Sequence, residues 1–125
     1  MAAHMPWTQA GRQLIDSVGI GRVALSSGAL PVVIVVRCRV DDDRIVLHST
    51  DTDLVRAARA AHVVALQVDN LAATGATDGS SVLITGVLAI DDSGTVTLTP
   101  GIASHTPVHL GPTAGRAQTD GAGSA

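Results

Sequence analysis

The chain has 125 residues, enough for one domain that hides roughly two-thirds of its unfolded surface. Its 46% apolar content excludes wholesale disorder. A net charge of −3, with one aromatic residue, leaves neither the basic stripe nor the stacking platform of a nucleic-acid domain.

The core must be built from Val, Leu, Ile and Ala, because Phe and Tyr are absent and Trp7 stands alone among aromatics. Branching at Cβ suits the pleated surface, so this composition favours strands. A single cysteine, Cys38, makes no internal disulfide. No apolar run reaches the roughly 18 residues that span a bilayer, and no signal-peptide pattern opens the chain. The expectation is a cytoplasmic protein with no membrane partner. Met5 follows His4, so residues 1–5 read as a leader outside the functional argument.

Pro6 to Val18 reads as a first helix, with Thr8 as N-cap and Trp7 in the place of a hydrophobic staple. Leu14, Ile15 and Val18 form its apolar stripe, and Gly19 ends it. Arg22 to Ser27 is a strand. Leu30 to Val40 is a longer one, whose run of Val and Ile before Arg37 suits a strand covered on both faces. Beyond it Val36, Cys38 and Val40 take one face and Arg37 and Arg39 the other. Asp41-Asp42-Asp43 reads as a solvated hairpin tip, since consecutive residues do not converge on one ion. Arg44 to His48 returns as the third strand.

Thr52 or Asp53 is the expected cap of a second helix from Leu54 to Ala61, with Leu54, Ala57, Ala58 and Ala61 on one face. His62 to Asn70 is a fourth strand, and Leu71 to Gly79 a loop. Ser80 to Ile90 is a fifth strand, interrupted by Gly86 where a bulge or close approach is expected. Thr95 to Thr99 is a sixth, with Val96 and Leu98 inward. Pro100 to Pro112 is assigned no element. The small polar stretch 113–125 is expected to be a disordered tail, so the domain is placed at 6–112. Six short strands with hairpin turns and two short helices imply a small, mainly β antiparallel barrel.

Chemistry is sparse. His105 and His109 are four apart, but Pro107 between them argues against the helix that would let them chelate zinc. Cys38 reads as a buried inert thiol rather than a nucleophile. The corner His48-Ser49-Thr50-Asp51-Thr52-Asp53 gathers hydroxyls before a helix N-terminus, where amides can hold phosphate. Arg56 adds a cation one turn on, while Asp51 and Asp53 would repel an anion. The residues alone favour a capped helix start without a ligand. No catalytic residue and no metal ligand is assigned.

The order of short motifs resembles the pyridoxamine 5′-phosphate oxidase-like FMN-binding split barrels, especially their short actinobacterial type. Gly21-Arg22-Val23-Ala24 resembles that family's opening strand, and Leu30-Pro31-Val32-Val33 its second. Asp41 to Leu47 resembles its hairpin and third strand. The Ala-rich helix after Leu54, the strand Val64 to Asp69 and the segment Gly79 to Gly86 follow in the same order. The resemblance implies a six-stranded antiparallel split β-barrel with two or more short helices. It also implies a homodimer with FMN in clefts at the interface, and a possible flavin-dependent oxidoreductase. By position, the phosphate falls near His48, Ser49, Thr50 and Arg56. The isoalloxazine falls along Val36 and Arg37 and near Ser81 and Val82. The chain departs from the family where His48-Ser49 replaces Arg-Thr, Asp53 the phosphate-binding Lys, and Ser80 a Trp. Those departures support a second reading, a barrel without flavin that serves as a binding or structural module. A relative using deazaflavin or haem, with His48 or His62 as iron ligand, is a third.

Overall fold

A computed structural model of the chain describes residues 8–71 and 77–111. The expected staple at Trp7 and the tail 113–125 lie outside the described residues. Six strands close into one antiparallel barrel in the order β1-β2-β3-β6-β5-β4. They are β1 (Ile20–Ser27), β2 (Leu30–Asp41), β3 (Arg44–His48), β4 (Val63–Asp69), β5 (Asp78–Ile90) and β6 (Val96–His109). Two helices, α1 (Gln9–Val18) and α2 (Thr52–Arg59), complete the fold.

Alternation along each strand explains the closure. β1 buries Val23 and Leu25, β2 buries Ile34, Val36 and Cys38, and β4 buries Val64, Leu66 and Val68. β5 and β6 add Val82, Ile84, Leu88, Val96 and Leu98. With a side-chain period of two, these residues all point into the barrel. Leu14 and Ile15 of α1 and Leu54, Ala57 and Ala58 of α2 pack into the same cluster.

The helices stop and start where their caps dictate. Thr8 accepts a hydrogen bond from the Gly11 amide at 3.0 Å, so α1 begins at Gln9 rather than Pro6. Gly19, in the left-handed region at φ 73, ends it with its amide on the Ile15 carbonyl. The cap of α2 is Asp51, not Thr52 or Asp53. Its Oδ1 accepts from the Asp53 amide at 2.8 Å and, more loosely, from the Leu54 amide at 3.4 Å. The helix therefore starts two residues earlier than Leu54 and ends at Arg59, leaving Ala61 exposed.

The largest departure concerns Pro100 to His109. This segment continues β6 and pairs with β5 as far as Asp78↔His109. Its prolines hid the strand, yet both lie where β6 has passed its last pairing with β3 at Leu98. A proline is tolerated on such an edge because its missing amide is not needed there. A register shift between Thr85 and Gly86 marks the expected irregularity. A Cβ at Gly86 would lie 2.0 Å from the Thr99 carbonyl oxygen, so only glycine lets the two strands approach this closely.

The outer face of β2 is bare. Val33 and Val35 are each 64% exposed, contrary to the expectation of cover on both sides. They sit in cross-strand rows. Val33, Ala24, Ala65, Thr85 and Ile102 form one, and Val35, Arg22, Gln67 and Leu83 the next. With Val63 and Val87 alongside, an apolar outer surface runs from β2 to β6.

Candidate functional site

A cleft of about 650 Å³ lies on the outside of the barrel, where β1, β2 and β3 meet the β5–β6 turn. Pairing builds its floor. Ile20 of β1 lies opposite Arg37 of β2, and Arg37 opposite His48 of β3. The last β3–β6 pair is Leu47↔Val96, so continuing that register sets His48 beside Thr95. Ile20, Arg37, His48 and Thr95 thus form one row across the sheet, and all four line the cleft. Strands about 4.8 Å apart put roughly 10 Å of backbone between Arg37 and Thr95.

The row is graded in chemistry. Ile20 and Val35 make an apolar end, the Arg37 guanidinium and the His48 imidazole a polar middle, and Ser49, Thr50, Ser93 and Thr95 a hydroxyl end. Among the described residues, no carboxylate lines the cleft. In a chain of net charge −3 that makes it a place for an anion with an apolar body.

The β5–β6 turn, between Ile90 and Val96, forms the third wall, and sequence reasoning gave it no part in a site. Asp91 organises it. Its Oδ1 accepts from the Ser93 amide at 2.9 Å, the Ser93 hydroxyl at 2.7 Å and the Thr95 amide at 2.9 Å. The Ser93 hydroxyl, followed by the Thr95 amide, holds its carboxyl below the usual carboxylate range. Asp91 is therefore ionised near neutral pH.

Of the residues expected to hold a cofactor, Val36, Arg37, His48, Ser49 and Thr50 come together here. Arg56, Ser81 and Val82 lie elsewhere. Arg56 pairs with Asp53 at 3.0 Å on the outer side of α2. Val82 is a core residue, 1% exposed. The Ser81 hydroxyl meets Gln67 Nε2 at 3.0 Å on the outer face of β5. Asp53, which the resemblance sets against a phosphate, is absent from the cleft lining. Its Oδ1 also accepts from the Ser27 hydroxyl at 3.0 Å, so its charge is engaged with Ser27 and Arg56.

The remaining candidates form no centre. Cys38 is buried, and desolvation, with Asp16 adding to it, pushes its thiol up to about 11. His105 and His109 lie on one strand, about 13 Å apart along it, which is too far to share an ion. Among the described residues no three His, Cys, Asp or Glu side chains converge as a metal site. His62 lies beside α2, away from the cleft. Among the described residues no helix is long and apolar enough to cross a membrane.

Comparison with known proteins agrees with this frame. The family described as pyridoxamine 5′-phosphate oxidase matches residues 9–98, from the start of α1 to the β3-paired part of β6. The chain belongs to the pyridoxamine 5′-phosphate oxidase family. Its barrel is similar to the FAD binding protein of Mycobacterium smegmatis, at 19% identity and a TM-score of 0.67 over 82% of this chain and 95% of the other. A FAD-binding protein of Mesorhizobium loti aligns at 14% identity and a TM-score of 0.67, covering 82% and 95%. The FAD and heme binding protein of M. smegmatis aligns at 16% identity and a TM-score of 0.68, covering 86% and 74%. At these identities the likeness is one of fold. No curated protein matches the sequence significantly.

Proposed function

We propose that this member of the pyridoxamine 5′-phosphate oxidase family binds a flavin, FMN in particular, in the cleft built on the Ile20–Arg37–His48–Thr95 row. The observation that carries the reading is the graded lining without a carboxylate. An isoalloxazine needs an apolar wall, which Ile20 and Val35 offer beside Val36. A phosphate monoester needs cations and hydroxyl donors, which Arg37, His48, Ser49 and Thr50 offer. A volume of about 650 Å³ suits a ligand of this size. Membership of the family and three structural relatives named for FAD binding support a flavin in general. Bound flavin would supply electron-transfer chemistry, which makes an oxidoreductase the activity to seek. The chain's own residues bind and orient it, and none is assigned as an acid or base.

The cleft opens beside the apolar surface through Val35 and Ile20, which line the one and border the other. A second copy of the chain seated on that surface would cover both. The expected part of Ser81 in binding is then a property of the dimer, since Ser81 stands on that face.

The test is direct. Purified protein titrated with FMN should quench flavin fluorescence saturably and show a flavin absorbance band after gel filtration. His48→Ala should weaken binding by about ten-fold, as expected for one hydrogen bond to a charged group. Preference for FAD would keep the flavin and correct the monophosphate. Absence of quenching with both would overturn the flavin reading and favour the barrel as a cofactor-free binding module. A Soret band on adding haem, lost in His48→Ala, would favour the haem alternative.

A further inference from the structure

We propose that Thr95 is a phosphate-contacting residue of this cleft and that Asp91 is the positioning residue that aims it. The inference rests on the reading of the cleft as the site of a phosphate-bearing ligand. It begins with proton accounting in the β5–β6 turn. Asp91 accepts three hydrogen bonds through Oδ1, one of them from the Ser93 hydroxyl at 2.7 Å. An ionised carboxylate has no proton to give, so Ser93 is the donor in that contact. The Ser93 hydroxyl proton is thereby committed. Ser93 Oγ also lies 3.1 Å from Thr95 Oγ1, and in that contact the proton can come only from Thr95.

The Thr95 hydroxyl proton is thus the one that no carboxylate holds. It can rest on Ser93 Oγ or rotate toward an acceptor in the cleft. The Thr95 backbone is fixed on both sides, its amide to Asp91 Oδ1 at 2.9 Å and its carbonyl to the Asp91 amide at 3.1 Å. It stands next to His48 in the continued β3–β6 register, and it lines the same cleft as Ser49 and Thr50. A preorganised neutral donor beside a guanidinium and an imidazole strengthens an anion site without adding charge. It also supplies from the β5–β6 turn a contact that α2 does not, since Asp53 and Arg56 are engaged with each other outside the cleft.

The experiment compares FMN with riboflavin, which lacks the phosphate. Thr95→Val keeps the branched shape and removes only the hydroxyl. It should weaken FMN about ten-fold while leaving riboflavin within about two-fold. Thr95→Ser should restore the preference for FMN, and Asp91→Ala should reduce it. Equal losses for FMN and riboflavin in Thr95→Val, or no loss for either, would overturn the proposal. An unchanged preference in Asp91→Ala would overturn the positioning role. Wild-type protein that binds neither flavin defeats the flavin reading instead. In that case inorganic phosphate, followed by backbone amide shifts in ¹⁵N-labelled protein, reads the cradle alone. Shifts at His48 and Thr95 that vanish in Thr95→Val uphold it, and their absence in wild type rejects it.

Discussion

Single residues carry costs that the packing of the barrel does not reveal. The β1–β2 turn places Gly28 at φ 56 and Ala29 at φ 74, the two positive angles of a tight hairpin turn. Alanine pays about 1 kcal/mol or more to sit there, because its Cβ crowds the backbone. Ala29→Gly should therefore raise stability by up to about 1 kcal/mol, read as a shift in the urea midpoint. Asp69 is held below its ordinary value of 3.8, first by Gln67 and then by the Leu71 amide, with Arg22 adding a smaller effect. A depressed carboxyl stabilises the fold above its unfolded value, and that contribution is lost as pH falls through the lower folded value. Asp69→Asn should thus lower the urea midpoint at pH 7, and the gap from wild type should close as pH falls below 3.8. A gap that stays constant with pH would detach Asp69 from acid stability.

At the scale of elements, the β5–β6 pair joins the two ends of the molecule. It forms the bulge at Gly86, carries the edge beyond Leu98 and ends in the turn that walls the cleft. Gly86→Ala forces a Cβ to within 2.0 Å of a backbone oxygen, so the strands must separate. The expected cost is about 3 kcal/mol, the upper end for overpacking, measured by denaturant unfolding. A loss under about 1 kcal/mol would mean the bulge relaxes freely. The glycine was legible in the sequence because it interrupts an otherwise apolar strand. So were the hairpin from Leu30 to His48, the inward faces of β2 and β6, and the end of α1 at Gly19. The second half of β6 was not, because Pro100 and Pro107 disguise an edge that needs no amide there. The α2 cap was misplaced by one or two residues, since Thr52, Asp53 and Asp51 are all capable caps and only geometry chooses. In the cleft, the β3 side was legible from its hydroxyls and imidazole. The Ser93 to Thr95 wall was not, because His48 and Thr95, far apart in sequence, meet only through the β3–β6 register.

For the whole molecule, the outer face of β2, expected to be covered, is bare at Val33 and Val35 and continues into exposed apolar residues on the neighbouring strands. Exposed apolar residues spread over five strands are what the dimer proposed above would cover. Val33 lies on that surface and away from the cleft lining, so Val33→Asp separates assembly from ligand contact. Sedimentation equilibrium should give a two-chain mass for wild type and a one-chain mass for the variant, whereas a one-chain wild type would remove the dimer from the account. Two arginines compete for the phosphate of the proposed flavin. Arg37 lies in the cleft row, while Arg56 is paired with Asp53 outside it. FMN affinity of Arg37→Gln and Arg56→Gln, measured side by side by flavin fluorescence, decides between them. Arg37→Gln should lose about ten-fold or more and Arg56→Gln less than about two-fold. The reverse order would contradict a phosphate held at Arg37.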